Sequence, residues 1–155
     1  MTAVSLIEYV SNSPEETLSL GERIAGFLSP PSIIALYGRL GSGKTQLVKG
    51  IAKGLNITEN ITSPTYTIIN EYTPSDKNNF YHFYHIDAYR LNDEKDFLDI
   101  GGLEIIHSNA ICAIEWSERI SSHLPEETIN ISFEIIQSEL NSSSRLIKIT
   151  GMDKI

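Results

Sequence analysis

Residues 38–45 read Gly38-Arg39-Leu40-Gly41-Ser42-Gly43-Lys44-Thr45, which fits G-x-x-x-x-G-K-[ST]. Glycines let a backbone adopt turn angles closed to other residues, so successive N–H groups can converge on one anion. A helix that follows adds the partial positive charge of its N-terminus. Lys44 can reach the β- and γ-phosphates of a nucleotide, and the hydroxyl of Thr45 suits Mg²⁺, which prefers oxygen ligands. The pattern therefore predicts a phosphate-binding loop.

The neighbouring sequence supports this prediction. Ile33–Tyr37 is a short apolar run of the buried-strand type, set off by Pro30 and Pro31. Downstream, apolar residues recur at helical spacing, namely Leu47, Val48, Ile51, Ala52 and Leu55. Strand, loop and helix follow in the required order. A glycine-rich turn that only joins two elements would explain neither Lys44 nor Thr45.

Composition limits the classes of protein. A chain of 155 residues with 41% apolar residues has the size of one globular domain, and we expect a single domain over residues 1–155. The net charge of −8 argues against a broad electrostatic contact with nucleic acid, although a role in RNA metabolism through a protein partner stays open. Cys112 is the only cysteine and no secretion signal or membrane span is evident, so we expect a cytoplasmic protein.

Interleaved strand and helix patterns predict an α/β fold with a mixed, mainly parallel sheet flanked by helices and closed by C-terminal antiparallel strands. The predicted strands are Val4–Val10, Ile33–Tyr37, Tyr66–Tyr72, Phe80–Ile86, Ala110–Ile114, Thr128–Gln137 and Arg145–Thr150. The predicted helices are one capped by Ser13, with an inner stripe of Leu18, Ile24, Ala25 and Leu28, then Lys44 to about Gly54, Asp93–Leu98 and Leu103–His107.

Two acidic residues follow apolar strands and are candidates for the catalytic site. Glu115 follows Ile111–Ile114, the pattern of a second nucleotide-binding strand, and a magnesium role is favoured over a solvated acid. Asp87 follows Phe83–Ile86 and could bind Mg²⁺ or position an attacking water. A helix cap or an ion pair with Arg90 is the structural alternative for Asp87.

Other polar residues are less decisive. Ser63, Pro64 and Thr65 could form a loop that responds to the γ-phosphate, although spacing alone favours a plain turn. The Ser13 turn could lie against a nucleotide base. Trp116 could pack in the core, gate the pocket or meet a partner. The histidines form no zinc pattern, and the D-x-x-G at residues 99–102 lacks a preceding strand, which favours ATP over GTP.

Together, these motifs resemble the bacterial TsaE (YjeE) family. The resemblance rests on Gly38–Thr45, on S-P-T-Y-T at residues 63–67, on H-x-D-x-Y-R-L at residues 85–91 and on Glu115-Trp116, in this order. It spans roughly Ser13 to Arg119. Gln46 stands where many members of the family have threonine.

The resemblance implies a P-loop ATPase that forms ADP and phosphate with Mg²⁺ and supports the threonylcarbamoyladenosine modification of tRNA. It implies docking onto the TsaB–TsaD heterodimer, so that tRNA is reached indirectly. The nucleotide would be bound by Ser13, Leu40, Gly41, Ser42, Gly43, Lys44, Thr45 and Gln46. Thr45 and Glu115, with Asp87 as a further candidate, would bind the metal, and the catalytic residues would be Asp87, Lys44 and Glu115.

Two alternatives remain. A small-molecule kinase would usually carry several arginines on a lid, and no arginine-rich lid segment is present among the five arginines. A nucleotide-gated adaptor with incidental hydrolysis would use the same loop. Arg39, Arg90 and Arg119 are the arginines near the candidate segments, and none is an obvious arginine finger. We therefore expect slow hydrolysis alone and activation by partner proteins.

Overall fold

Strands and helices alternate through the chain in the computed structural model, which describes residues 4–64, 67–75, 80–137 and 143–155. The strands are β1 (Leu6–Ser11), β2 (Ser32–Tyr37), β3 (Ile69–Tyr72), β4 (His82–Asp87), β5 (Ala110–Glu115), β6 (Ile129–Gln137) and β7 (Ser143–Thr150). The helices are α1 (Pro14–Ala25), α2 (Lys44–Gly54), α3 (Glu94–Asp99) and α4 (Gly102–Ile106), with a 3-10 helix over Ser117–His123 that sequence reasoning missed.

The strands form one mixed sheet in the order β1-β7-β6-β2-β5-β4-β3. β2 pairs in parallel with β5 and β6, and β5 in parallel with β4, whereas β3 and β7 run antiparallel to their neighbours. The predicted α/β class and the antiparallel C-terminal pair are confirmed. Because the parallel strands end at the same edge, Ser11, Tyr37, Asp87 and Glu115 come to one side of the molecule.

Helices α1 and α2 cover one face of the sheet, and α3, α4 and the 3-10 helix pack on the other. The first face buries Leu20, Ile24, Leu47 and Ile51 against strand residues such as Ile34. The second buries Ile33, Ile86, Phe97, Ile106 and Ile114. Both ends of the phosphate-binding loop are therefore fixed to buried elements, β2 before it and α2 after it.

The inner stripe of α1 differs from the prediction. Ile24 and Ala25 are buried as expected, but Leu18 is only half-buried and Leu28 lies beyond the end of α1 at Ala25, so the stripe is centred on Leu20 and Gly21. Glycines allow a close helix crossing here, since a Cβ on Gly21 would lie 2.4 Å from the backbone oxygen of Leu47 in α2. This contact between α1 and α2 turns α1 so that its glycine faces the partner helix.

Several boundaries also differ. β1 begins at Leu6 rather than Val4, and β3 begins at Ile69, because Ile68 has a left-handed backbone (φ 65°) that breaks the strand. Residues 65–66, 76–79 and 138–142 lie outside the described part of the chain, so the predicted start of β3 at Tyr66 is not described. Across the described residues, no helix has the length and apolarity needed to cross a bilayer.

Candidate functional site

The phosphate-binding loop has the backbone geometry that its glycines predict. Gly41 and Gly43 have positive φ values of 78° and 106°, and α2 begins directly after Gly43, at Lys44. A Cβ on Gly38 would lie 2.6 Å from Oγ of Ser42, which leaves no room for a side chain. Ser42 Oγ is buried and has no hydrogen-bond partner among the described residues. The loop thus forms a glycine-lined concavity at the N-terminus of α2, suited to an anion.

Lys44 is buried, with only 5% of its surface exposed, and its charge is held inside the loop. Its Nζ donates to the carbonyl oxygen of Gly38 and, at 3.0 Å, to that of Arg39. Nζ also lies 4.3 Å from the ring centroid of Trp116, a cation–π contact. Burial lowers the pKa of the Lys44 ammonium from its ordinary value, and the negative charge of Glu115 opposes this shift. The cation is therefore poorly solvated and placed to gain strongly from a phosphate.

The side chain of Glu115, at the end of β5, contacts the first turn of α2. The hydroxyl of Thr45 lies 2.9 Å from Oε1 of Glu115 and 3.1 Å from Oε2. On the other side, Nε2 of His85 lies 2.5 Å from Oε2 of Glu115. Glu115 and His85 are 4% and 0% exposed, and with the half-buried Thr45 they form a polar group below the loop. It places the two predicted metal-binding residues together.

Asp87 lies beside this group, because its Cα is paired with that of Glu115 in the β4–β5 register. Its Oδ1 accepts a hydrogen bond of 2.9 Å from the backbone N–H of Tyr89, so part of its carboxylate caps the turn after β4. Asp87 is buried, and burial raises the pKa of its carboxyl above the ordinary value, with the Tyr89 N–H acting in the opposite direction. A more basic carboxylate is a better proton acceptor at neutral pH.

A cleft of about 350 Å³ opens over these residues. It is lined by the loop and by acids and aromatics from the strand ends, namely Leu40, Gly41, Ser42, Gly43, Lys44, Thr45, Gln46, Ser63, Asp87, Tyr89, Arg90, Glu115 and Trp116. The side chain of Leu40 is 86% exposed, so Leu40 contributes to the loop through its backbone. The rings of Trp116 and Tyr89, with centroids 4.8 Å apart, line its wall.

A second cleft, of about 300 Å³, lies on the α1 side of the loop and includes Ser13, Gln46 and Arg145. Ser13 caps α1 as predicted, since its Oγ accepts a hydrogen bond of 3.1 Å from the N–H of Glu16. Gln46 Nε2 donates to the carbonyl oxygen of Pro14 at 3.1 Å, which ties α2 to the start of α1. The Ser13 turn thus shares a cleft with the phosphate-binding loop.

The proposed switch segment is described only in part. Ser63 lines the main cleft, and the carbonyl oxygen of Pro64 accepts a hydrogen bond of 2.9 Å from the N–H of Ile68. Thr65 lies outside the described residues. Ser63 therefore lies at the cleft, and the response of this segment to a nucleotide stays a prediction.

Two residues with polar contacts at this site had no assigned role. His85 precedes Asp87 by two positions, and alternate residues of a strand face the same side, so the shared face could have been inferred from the sequence. Arg145 is absent from the arginines that the sequence places near the site, but the structure brings it against the loop. Its Nε and Nη2 donate to the carbonyl oxygens of Ser42 and Gly41, each at 3.1 Å. No local signal identifies Arg145, because its position depends on where β7 pairs in the sheet.

The donor set fits magnesium. Within the described residues, no group of three or more His, Cys, Asp or Glu side chains is arranged to hold a metal ion. Mg²⁺ usually binds proteins through one or two carboxylates, with water and substrate phosphates completing its coordination. Thr45 and Glu115, beside the loop, have the oxygen donors that such a partial site would need.

Comparisons with known proteins agree with this geometry. A family model described as "Threonylcarbamoyl adenosine biosynthesis protein TsaE" matches residues 11–145. The chain is 42% identical over 127 residues to the tRNA threonylcarbamoyladenosine biosynthesis protein TsaE of Treponema pallidum, covering 82% of this chain and 90% of that protein. It is 40% identical over 119 residues to the protein of the same name from Bacillus subtilis, covering 77% and 72% of the two chains.

A solved structure shows the same architecture. The crystal structure of YdiB from Bacillus subtilis matches with a TM-score of 0.73 and 29% identity, covering 97% of this chain and 88% of that one. The fold is the α/β fold of P-loop nucleoside triphosphatases, as expected from the sequence.

Proposed function

Because the chain belongs to the TsaE family of threonylcarbamoyl adenosine biosynthesis proteins, we propose that it is a Mg²⁺-dependent ATPase of tRNA threonylcarbamoyladenosine modification. It converts ATP to ADP and phosphate in the cytoplasm as a single-domain protein. It works with the TsaB–TsaD heterodimer and reaches tRNA through that complex. The observation that carries the proposal is the contact between Thr45 and Glu115 beneath a glycine-built loop, with Asp87 on the adjacent strand.

The loop and Lys44 bind the phosphates in this proposal. Backbone N–H groups of the loop and of the first turn of α2 would bind the phosphate oxygens, and the N-terminus of α2 favours negative charge there. Lys44 exchanges its contacts with the carbonyl oxygens of Gly38 and Arg39 for contacts with phosphate oxygens. Its release from Trp116 accompanies this exchange, which gives Trp116 its gating role.

The acidic residues have two separate roles in the proposal, metal binding and activation of the attacking water. Thr45 and Glu115 would hold Mg²⁺. The bound cation would neutralise the negative charge that develops on the phosphates. Thr45 can offer an oxygen lone pair to a metal while it donates its proton to Glu115. Asp87 orients the attacking water and accepts its proton, in line with a pKa that burial raises.

The second cleft accommodates the nucleoside. It continues from Gly41 and Gly43 to the Ser13 turn, so a base can lie against residues 11–14 while its phosphates stay in the loop. The guanidinium of Arg145 lines the same cleft and holds the loop carbonyl oxygens of Gly41 and Ser42. We assign Arg145 to positioning the loop and the nucleoside.

Activation by a partner is part of the proposal, since two of the arginines already bind backbone carbonyl oxygens. Arg119 donates to the carbonyl oxygen of Leu91 at 3.1 Å, and Arg145 is committed to the loop carbonyls. An arginine that stabilises the transition state can raise the rate by about 10³–10⁵ when it is supplied by a partner. We therefore expect slow turnover of the isolated protein and a large acceleration in the complex.

The test is reconstitution of tRNA modification with purified TsaB–TsaD, with and without this protein, while ADP and free phosphate are quantified. Modification that requires the wild type and fails with Lys44→Ala supports the proposal. Equal turnover with and without TsaB–TsaD would contradict the activation. A phosphorylated small molecule instead of free phosphate would indicate a kinase. Full modification with a variant that binds ATP but does not hydrolyse it would indicate a nucleotide-gated adaptor.

A further inference from the structure

His85 is a polar side chain of β4 that lies fully buried in the protein. It is 0% exposed, and it shares its face of the strand with Phe83, which is also fully buried, and with Asp87. An apolar side chain could fill such a position without the cost of removing an imidazole from water. The described residues contain no hydrogen-bond partner for its Nδ1. Core packing alone therefore does not account for a histidine here.

The contact with Glu115 explains why a histidine occupies this buried position. Nε2 of His85 lies 2.5 Å from Oε2 of Glu115. We assign the shared proton to Nε2, so that the imidazole donates this hydrogen bond to a carboxylate oxygen of Glu115. An unprotonated Nδ1 then carries only a lone pair, which costs less when unpaired than a buried N–H would.

This hydrogen bond fixes the orientation of the Glu115 carboxylate. Thr45 is within hydrogen-bond distance of both oxygens, at 2.9 Å and 3.1 Å, and so does not by itself select one of them. His85 contacts Oε2 only, from the opposite side. Oε1 is thereby left to Thr45 and to whatever binds beside it.

We propose that His85 is a positioning residue that holds Glu115 in the orientation needed for metal binding, and so sets the affinity of the site for a divalent cation. The inference rests on the proposed function, because it takes Thr45 and Glu115 as the metal-binding residues. It adds a role for a buried side chain that does not touch the nucleotide. Hydrogen-bond partners of ligating groups typically change metal affinity by about 10- to 100-fold when removed.

The test compares the ADP affinity of each variant in Mn²⁺ with its affinity in EDTA, because the ratio of the two isolates the contribution of the metal. His85→Leu removes the donor and fills its place with an apolar side chain, and we expect the ratio to fall about 10- to 100-fold while affinity in EDTA is unchanged. His85→Gln places an amide N–H near the position of Nε2, and we expect it to restore most of the ratio.

His82→Leu is the matched control. His82 lies on the same strand, and its Nδ1 is 2.7 Å from a carboxylate oxygen of Glu71, away from the cleft. We expect the ratio of ADP affinities in Mn²⁺ and EDTA to be the same for His82→Leu as for the wild type. If His85→Leu does not fold, His85→Asn replaces it, since the shorter amide cannot reach Glu115, and the contrast with His85→Gln stays the same.

The outcomes separate the two proposals. A folded His85→Leu or His85→Asn protein with the wild-type ratio overturns the positioning role and leaves the ATPase proposal intact. Equal losses in Mn²⁺ and EDTA overturn it as well, because they indicate a general structural defect. A wild-type protein that binds no ADP under either condition would overturn the proposed function, and the positioning role with it.

Discussion

The hydroxyl of Thr45 lies 2.9 Å from Oε1 of Glu115, although 70 positions separate the two residues in the sequence. The contact joins the first turn of α2 to the end of β5. It exists because β2 and β5 are parallel neighbours, so the loop after β2 and the residue that ends β5 lie at the same edge of the sheet. The distance between a hydroxyl and a carboxylate is thus a direct consequence of strand order.

Glu115→Gln should weaken metal use without removing nucleotide binding. The amide keeps the size of the side chain but loses the charge that attracts a cation. We expect the Mg²⁺ concentration that gives half-maximal ATPase activity to rise at least about tenfold. This Mg²⁺ concentration is measured from steady-state rates across a Mg²⁺ titration. Glu118→Gln, an identical charge change at an exposed position nearby, should leave the Mg²⁺ requirement near that of the wild type.

Lys44→Ala should lower the slow turnover of the isolated protein to the limit of detection. The substitution removes the cation that faces the phosphates, and loss of one preorganised donor of this kind lowers kcat by about 10²–10³. We also expect weaker ADP binding, measured by calorimetry because Trp116 fluorescence depends on Lys44 itself. Full ATPase activity in this variant would remove the loop from the active site.

Much of this site could be predicted because its signals are local. The strand, loop and helix around Lys44 are adjacent in sequence, and the acids at 87 and 115 directly follow their strands. Parallel strand direction then brings them together. The capping residue Ser13 is equally local, since its Oγ accepts a hydrogen bond from an N–H three residues later.

Other features depend on pairing that the sequence does not encode locally. β7 lies between β1 and β6, and this position places Arg145 against the loop. The stripe of α1 is centred on Gly21 because α2 approaches it closely, which no periodicity of α1 alone can indicate. His85 is intermediate, since its spacing from Asp87 was visible but its partner on β5 was not.

Asp87→Asn should retain nucleotide binding and lose turnover. The amide oxygen can still accept the hydrogen bond from Tyr89, so the turn is kept, but the group no longer accepts a proton. We expect kcat to fall by about 10²–10⁴. Trp116 is the only tryptophan of the chain, so a fluorescence titration can check that ADP affinity stays within a few-fold. Unchanged turnover would restrict Asp87 to its structural role in the turn.

The same variant should be more stable than the wild type at neutral pH. Burial raises the pKa of Asp87, so the folded state binds this proton more tightly than the unfolded state. The wild type therefore loses stability as pH rises through the folded pKa, and the neutral amide avoids that loss. Thermal unfolding across pH should show an advantage for Asp87→Asn at neutral pH that shrinks as pH falls. An advantage that grows in acid would contradict the direction of the shift.

Gly50→Ala tests whether the close crossing of α1 and α2 supports the loop. A Cβ on Gly50 would lie 2.1 Å from the backbone oxygen of Leu18, and backbone atoms cannot move aside as a flexible side chain can. We expect a loss of about 3 kcal/mol in the free energy of unfolding, the upper end of overpacking effects, measured by urea denaturation.

Gly26→Ala is the control for this substitution. Gly26 follows α1 with a right-handed backbone (φ −63°), and its nearest obstacle is an oxygen 3.3 Å from the added Cβ. We expect a change within about 0.5 kcal/mol. Because α2 starts at the phosphate-binding loop and Ser13 caps α1, separating the helices would also widen the second cleft. Gly50→Ala should therefore weaken ADP binding even under conditions where the protein stays folded. Wild-type affinity in that variant would show that the loop does not depend on the helix crossing.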